Sequence, residues 1–151
     1  MVAVEILGVH EGANSHPMVL LRHEDRVLPI VVGLNEANAI QMGLMEEKVG
    51  RPMTHDLVCN LLAGLGGELE SVTIYKLESD TFFAHLNVER KSGDGVVEQV
   101  LRIDTRPSDG VAVAVRVGCP IYVAEAVMNT AAQDLAILNP DDDPGDDELD
   151  P

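Results

Sequence analysis

The apolar residues of this chain change their spacing five times, and the order of those changes admits few folds. Val2 to His10 reads as a strand, a turn-forming stretch from Gly12 to Pro17 follows it, and Met18 to Leu21 makes a second apolar run, as expected for a hairpin. A further run, Val27 to Val32, stops at Gly33; Pro29 within it has no N–H for a ladder and marks an edge strand or a bulge. The spacing then lengthens. Ala37, Ile40, Leu44 and Met45 recur at helical intervals from a start near Asn35 to an end before Gly50. A second helix is predicted from Thr54 as N-cap, with Asp56 in its first turn and Leu57, Val58, Leu61, Leu62 and Leu65 inside, up to the stop at Gly66 and Gly67. Strand character returns over Leu69 to Leu77, Thr81 to Arg90 and Val96 to Asp104, a three-strand meander. Ser108 to Val117 is predicted as a third helix despite its valines, because Pro107 is a start signal and Gly118 a stop. Cys119 to Val123 then suits a strand and Ala124 to Ala132 a short helix. The expected class is α+β, a mixed α/β arrangement with an antiparallel or mixed sheet of about six to seven strands and three to four helices packed on it.

A chain of 151 residues with 46% hydrophobic residues fits one domain, placed at residues 1–135, with an acidic, disordered tail at 136–151. The balance of 26 acidic against 10 basic residues gives a net charge of −16. Seven of the acidic residues follow Pro140, but the body is acidic too, which argues against a broad phosphate-binding surface. Few lysines beside many carboxylates also resemble the surface of a protein from a salt-loving organism. No run approaches the roughly eighteen apolar residues of a membrane span, and the start of the chain lacks the basic and apolar pattern of a secretory signal, so a soluble, cytoplasmic protein without membrane association is expected. Cys59 and Cys119 lie in separate apolar segments and are expected as buried thiols, outside any disulfide or zinc pattern.

Familiar nucleotide-binding loops are absent: Gly64 to Gly67 ends a helix, which is the wrong end for an anion. No GxSxG elbow occurs either, and neither cysteine has a nearby base. Chemistry is instead expected at three element junctions. At the first, Asp104 and Asp109 can share a divalent cation while Arg106 clamps a phosphate; equally, Ser108 or Thr105 can cap the helix, with Asp109 answering its dipole and Arg106 pairing with Asp104. At the second, Thr54, His55 and Asp56 open a helix, where the positive dipole end favours the neutral imidazole that serves as base or ligand, or the same residues merely satisfy free N–H groups. Glu36, at the third, stands early in a helix after Gly33, as a functional or a dipole-compatible carboxylate. His10, His16 and His23 have no recognised metal spacing, and His85 is expected as a structural residue within a strand.

Three segments together, LPIVVGLNEANAI from Leu28, RPMTHDL from Arg51 and IDTRPSDGVAVAVRVGCPIYV from Ile103, resemble the bifunctional nuclease domain family in order and approximate spacing. The resemblance covers roughly residues 1–130 and leaves out the acidic tail. It implies a compact mixed α/β fold and degradation of both DNA and RNA. Glu36, Thr54, His55, Asp56, Asp104, Arg106, Ser108 and Asp109 occupy its motif positions. On that basis the expected reaction is phosphodiester hydrolysis with Mg²⁺ or Mn²⁺ held by Asp104 and Asp109, aided by Glu36 or Asp56. His55 would be general base or acid and Arg106 would stabilise phosphoryl charge, with Thr54 and Ser108 beside the substrate. Gly110, where a helix former is expected, would weaken the helix by about 1 kcal/mol. The rival expectations are a non-catalytic, self-associating interaction domain and a small-anion-binding module at the helix starts. A homo-oligomer is expected if the Pro29 edge and the apolar helices are covered by another copy.

Overall fold

The computed structural model describes residues 1–12 and 15–138; the expected acidic tail lies almost wholly outside that range. Eight strands form one mixed sheet: β1 (Val2–Glu11), β2 (Pro17–His23), β3 (Arg26–Val31), β4 (Gly67–Glu78), β5 (Thr81–Lys91), β6 (Val97–Thr105), β7 (Ile121–Val123) and β8 (Gln133–Asp134). Their order across the sheet is β6-β5-β4-β7-β1-β2-β3-β8. The predicted meander is β4-β5-β6 and the predicted hairpin is β1-β2, extended by β3. Strand β7 joins the two halves, parallel to β4 over Val72 to Ile74 and antiparallel to β1 over Val2 to Val4. From Glu5 onward β1 pairs with β2, with a bulge between Ile6 and Gly8, and the φ of +133° at Gly8 is one that only glycine adopts freely.

The α+β class is as expected, with one strand more than predicted, because β8 is too short to leave a pattern. Its two residues pair with Arg26 and Val27, so beyond Val27 the outer side of β3 has no strand neighbour among the described residues. Pro29 sits on that open stretch, where a missing N–H costs no ladder bond.

Helices α1 (Leu34–Leu44), α2 (Thr54–Gly64), α3 (Pro107–Val117) and α4 (Glu125–Ala131) form next, followed by a single turn, α5 (Leu135–Leu138). Helix α3 is the centre of the molecule. It packs on β4 and β5 on one side and on α1 and α2 on others, with Val111, Ala112, Val113 and Ala114 all buried. Burial on several sides explains a helix of valine and alanine with almost no charge: packing outweighs the propensity cost of β-branching. Facing it are Val72, Ile74, Ala84, Leu86 and Val88, alternate residues of β4 and β5.

Close approach depends on two glycines. A Cβ on Gly110 would lie 2.9 Å from Val72 Cγ1 and 3.3 Å from Thr105 Cγ2, so this position admits the helix to the sheet. The expected helix weakening is therefore offset by packing that alanine would obstruct. On α1, a Cβ at Gly43 would collide with Val115 of α3. Helix α1 ends soon after that contact, at Leu44 and not near Gly50, as Glu46 takes a left-handed φ of +52°.

The opposite face of β4, β5 and β7 is polar. Asn87 Nδ2 donates to Ser71 Oγ at 2.9 Å and to Thr73 Oγ1 at 2.8 Å, while His85 stacks on Tyr75 with ring centroids 4.1 Å apart. Along α2 and at its C-cap, Leu57, Leu61 and Leu65 are exposed at intervals of one helical turn. Cys59 and Cys119 are free and half-buried, and burial pushes the Cys119 thiol up to about 11. Among the described residues no helix is long and apolar enough to cross a membrane.

Candidate active site

Three helix starts carry an acidic residue at the same place. Glu36, Asp56 and Asp109 are each third in their helices, where a carboxylate meets free N–H groups and the positive end of the dipole. The expected caps are displaced by one or more positions. Met53 and Arg106 are the N-cap residues of α2 and α3, Thr54 is the first helical residue, and Ser108 is buried inside the first turn of α3. Thr105 donates its hydroxyl to the Arg106 carbonyl at 2.9 Å and likewise does not cap.

Two of these carboxylates and the residues beside them form a continuous polar chain. Arg106 Nη2 donates to Glu36 Oε1 at 2.6 Å and Arg106 Nε donates to Asp109 Oδ2 at 2.9 Å. The other oxygen of Asp109 lies 2.8 Å from His55 Nε2. This sequence, carboxylate, guanidinium, carboxylate, imidazole, links the starts of α1, α3 and α2. The Arg106 bond and the residue's own backbone N–H hold Glu36 below the usual carboxylate range. Burial pushes Asp109 up, but its bonds from His55 and Arg106 together prevail and leave it lowered. An ionised Asp109 accepts the His55 Nε2–H, which leaves Nδ1 with its lone pair free to take a proton. Arg106 is 65% exposed and uses only two of its five N–H donors in these bonds.

The chain lines a cleft of about 560 Å³ that also includes Asn35 and Thr54, with Leu86, Ile103 and Val113 as apolar wall. Asp104 stands at its rim on β6. Its register partner is His85, and cross-strand partners share a face, so the pleat directs Asp104 to the polar face of the sheet, away from the helix side that carries Asp109. The expected Arg106–Asp104 pair is replaced by Arg106–Asp109 and Arg106–Glu36. Asp56 also turns away. It accepts the Met53 N–H at 2.9 Å and Arg116 Nε at 2.8 Å, and these bonds, the backbone one foremost, hold it below its ordinary range. Arg116 Nη1 reaches the carbonyls of Ala39 and Ala112 at 2.9 and 2.7 Å, which ties α1, α2 and α3 together. Sequence reasoning passed over Arg116, although a lone charge in the apolar second half of α3 was a signal.

The residues do not fit a resident Mg²⁺ or Mn²⁺. Both oxygens of Asp109 are engaged, Asp104 is directed to the other face, and no three His, Cys, Asp or Glu side chains converge on a metal position among the described residues, His10, His16 and His23 included.

A family model for the bifunctional nuclease domain matches residues 18–136, which contain every residue of the cleft. The chain belongs to the bifunctional nuclease domain family. Within curated proteins, this bifunctional nuclease domain is 40% identical over 145 residues to an uncharacterised protein of Mycobacterium tuberculosis, covering 94% of the chain and 80% of that protein. Bifunctional nuclease 2 of Oryza sativa subsp. japonica is 30% identical over 110 residues, 71% of the chain and 33% of the rice protein. Bifunctional nuclease 1 of Arabidopsis thaliana is 28% identical over 111 residues, 72% of the chain and 33% of the plant protein. The domain thus spans about a third of the plant nucleases it matches.

Proposed function

We propose that the cleft hydrolyses phosphodiester bonds of DNA and RNA. The observation that carries this reading is the polar chain from Glu36 through Arg106 and Asp109 to His55, in a cleft open to solvent. Asp109 orients the imidazole, and His55 Nδ1 takes the proton from the attacking water. The oxygen of that water bonds to phosphorus as the P–O bond to the leaving sugar oxygen breaks, and that oxygen leaves as an alcohol after taking a proton from solvent. Arg106 has N–H donors to spare for the phosphoryl oxygens, where charge accumulates. Thr54 and Asn35 border the place where the phosphate would lie. Mg²⁺ or Mn²⁺ enters this reading only as a counter-ion that arrives with the substrate.

Names of the plant relatives support nuclease activity, and the helix starts support anion binding. The test is cleavage of single-stranded DNA and of RNA by purified protein, with and without EDTA. His55→Ala and Asp109→Asn are expected to lower kcat by at least about a hundredfold, the scale of general acid–base assistance, with circular dichroism showing that both variants remain folded. Undiminished cleavage by His55→Ala would overturn the assignment. If wild type binds oligonucleotide but never cuts it, the anion-binding alternative holds and the cleft is a recognition site.

We further propose self-association, supported by the exposed Leu57, Leu61 and Leu65 stripe.

A further inference from the structure

A second hollow, of about 580 Å³, opens on the other side of His55 and shares Asn35, Thr54 and His55 with the first. Its chemistry differs. Asn35, Asn38 and Gln41 project into it from one face of α1, spaced three residues apart, and Met42, Met53 and Glu47 complete the wall. Arg116 lies at its base but is 11% exposed, with its charge answered by Asp56 and two carbonyls, so no free cation faces a ligand there. A phosphate would meet Glu47 with no compensating charge. A planar, uncharged heterocycle would find carboxamides that both donate and accept, and polarisable methionine sulfurs to pack against.

We propose that this hollow is a nucleobase subsite, which holds the base next to the phosphate bound at Arg106. The proposal rests on the nuclease reading for its place in the reaction and deepens it by naming a substrate preference. Asn38 and Gln41 read the hydrogen-bonding edge of the base. Glu47, an acceptor only, favours a base with an exocyclic amino group, so cytosine, adenine and guanine are preferred over thymine and uracil, whose one edge donor is the ring N3–H. A base can enter only when it is unstacked, which restricts the substrate to single strands or frayed ends.

The experiment compares wild type, Asn38→Ala/Gln41→Ala and Glu47→Gln on oligo(dC), oligo(dT) and bis(p-nitrophenyl) phosphate, a diester without a base. Equilibrium binding of dCMP is measured alongside. The double variant is expected to raise KM for oligo(dC) about tenfold, the loss of one or two hydrogen bonds, and to weaken dCMP binding similarly. Turnover of the base-free diester should not change. Glu47→Gln is expected to erase the preference for oligo(dC) over oligo(dT). Asn38, Gln41 and Glu47 are exposed, so folding is expected to survive these changes, which circular dichroism checks. Unchanged KM and dCMP binding in the double variant would overturn the subsite. If no substrate is cut but dCMP binds wild type and not the double variant, the nuclease reading fails and the base subsite stands.

Discussion

Replacing Arg116 by methionine removes a side chain that bonds to α1, α2 and α3 at once while keeping most of its apolar bulk. Three contacts disappear: the ion pair with Asp56 at 2.8 Å and the bonds to the carbonyls of Ala39 and Ala112. The two carbonyls lie within helices, so the main loss is the partner of Asp56. Breaking a fully buried pair from one side costs roughly 3–5 kcal/mol. Asp56 is 30% exposed and keeps its bond from the Met53 N–H, so water and backbone compensate in part, and about 2–3 kcal/mol is the expected loss. For a domain of this size that lowers Tm by roughly 4–12 °C. Urea denaturation of Arg116→Met, Asp56→Asn and the double variant reads both the cost and the coupling. A coupling above about 1 kcal/mol is expected, as for residues in direct contact. Strict additivity, or an Arg116→Met loss below about 0.5 kcal/mol, would show that the three helix starts hold their places without this latch.

Gly110→Ala sets a helix-propensity gain of about 1 kcal/mol against a Cβ placed 2.9 Å from Val72 Cγ1. Val72 is fully buried in a central strand and has little room to yield, so a net loss of about 1–2 kcal/mol is expected by the same denaturation assay. Glu36, Asp56 and Asp109 all have carboxyls lowered in the folded state, so their stabilisation is full above the ordinary carboxylate range and is lost as pH falls through the folded values. The urea midpoint should hold steady above about pH 5 and fall below about pH 4, less steeply in Asp56→Asn; a flat profile down to pH 2 would contradict the shifts. Leu61→Glu is expected to reduce the mass measured by light scattering to that of a monomer, and a wild-type mass already monomeric would remove self-association.

Local signals in the chain marked much of this fold. Pro107 and Gly118 bound α3 because a fixed φ and a left-handed φ of +83° act through single residues. The end of α1 was not legible, since it follows from the packing of Gly43 against Val115 and from a left-handed turn at a glutamate, a residue that carries no such signal. Strand β8 depends on where β3 happens to pass. At the cleft, residue types pointed to the right junctions but not to the right pairs. His55 and Asp109 are 54 positions apart, and only the packing of α2 on α3 joins them. Arg106 and Asp104 looked like natural partners because a strand sends side chains two residues apart to one face, but β6 ends at Thr105 and the turn into α3 carries Arg106 elsewhere. Asp109, three residues on and in the first helical turn, was the geometrically available partner.

The position of β7 has a consequence for how the chain reaches this state. Strands β1 to β3 and β4 to β6 can each zip up from neighbouring segments, but their union waits for Ile121 to Val123, which are made after both groups. Until then β1 and β4 each present a bare edge, and an emerging chain would carry two sites for pairing with other chains. Insertion of a three-residue strand, brought into place by α3, closes both at once. The rate of assembly should therefore respond most to changes around Val123 and Val72, far from the cleft that the completed sheet supports.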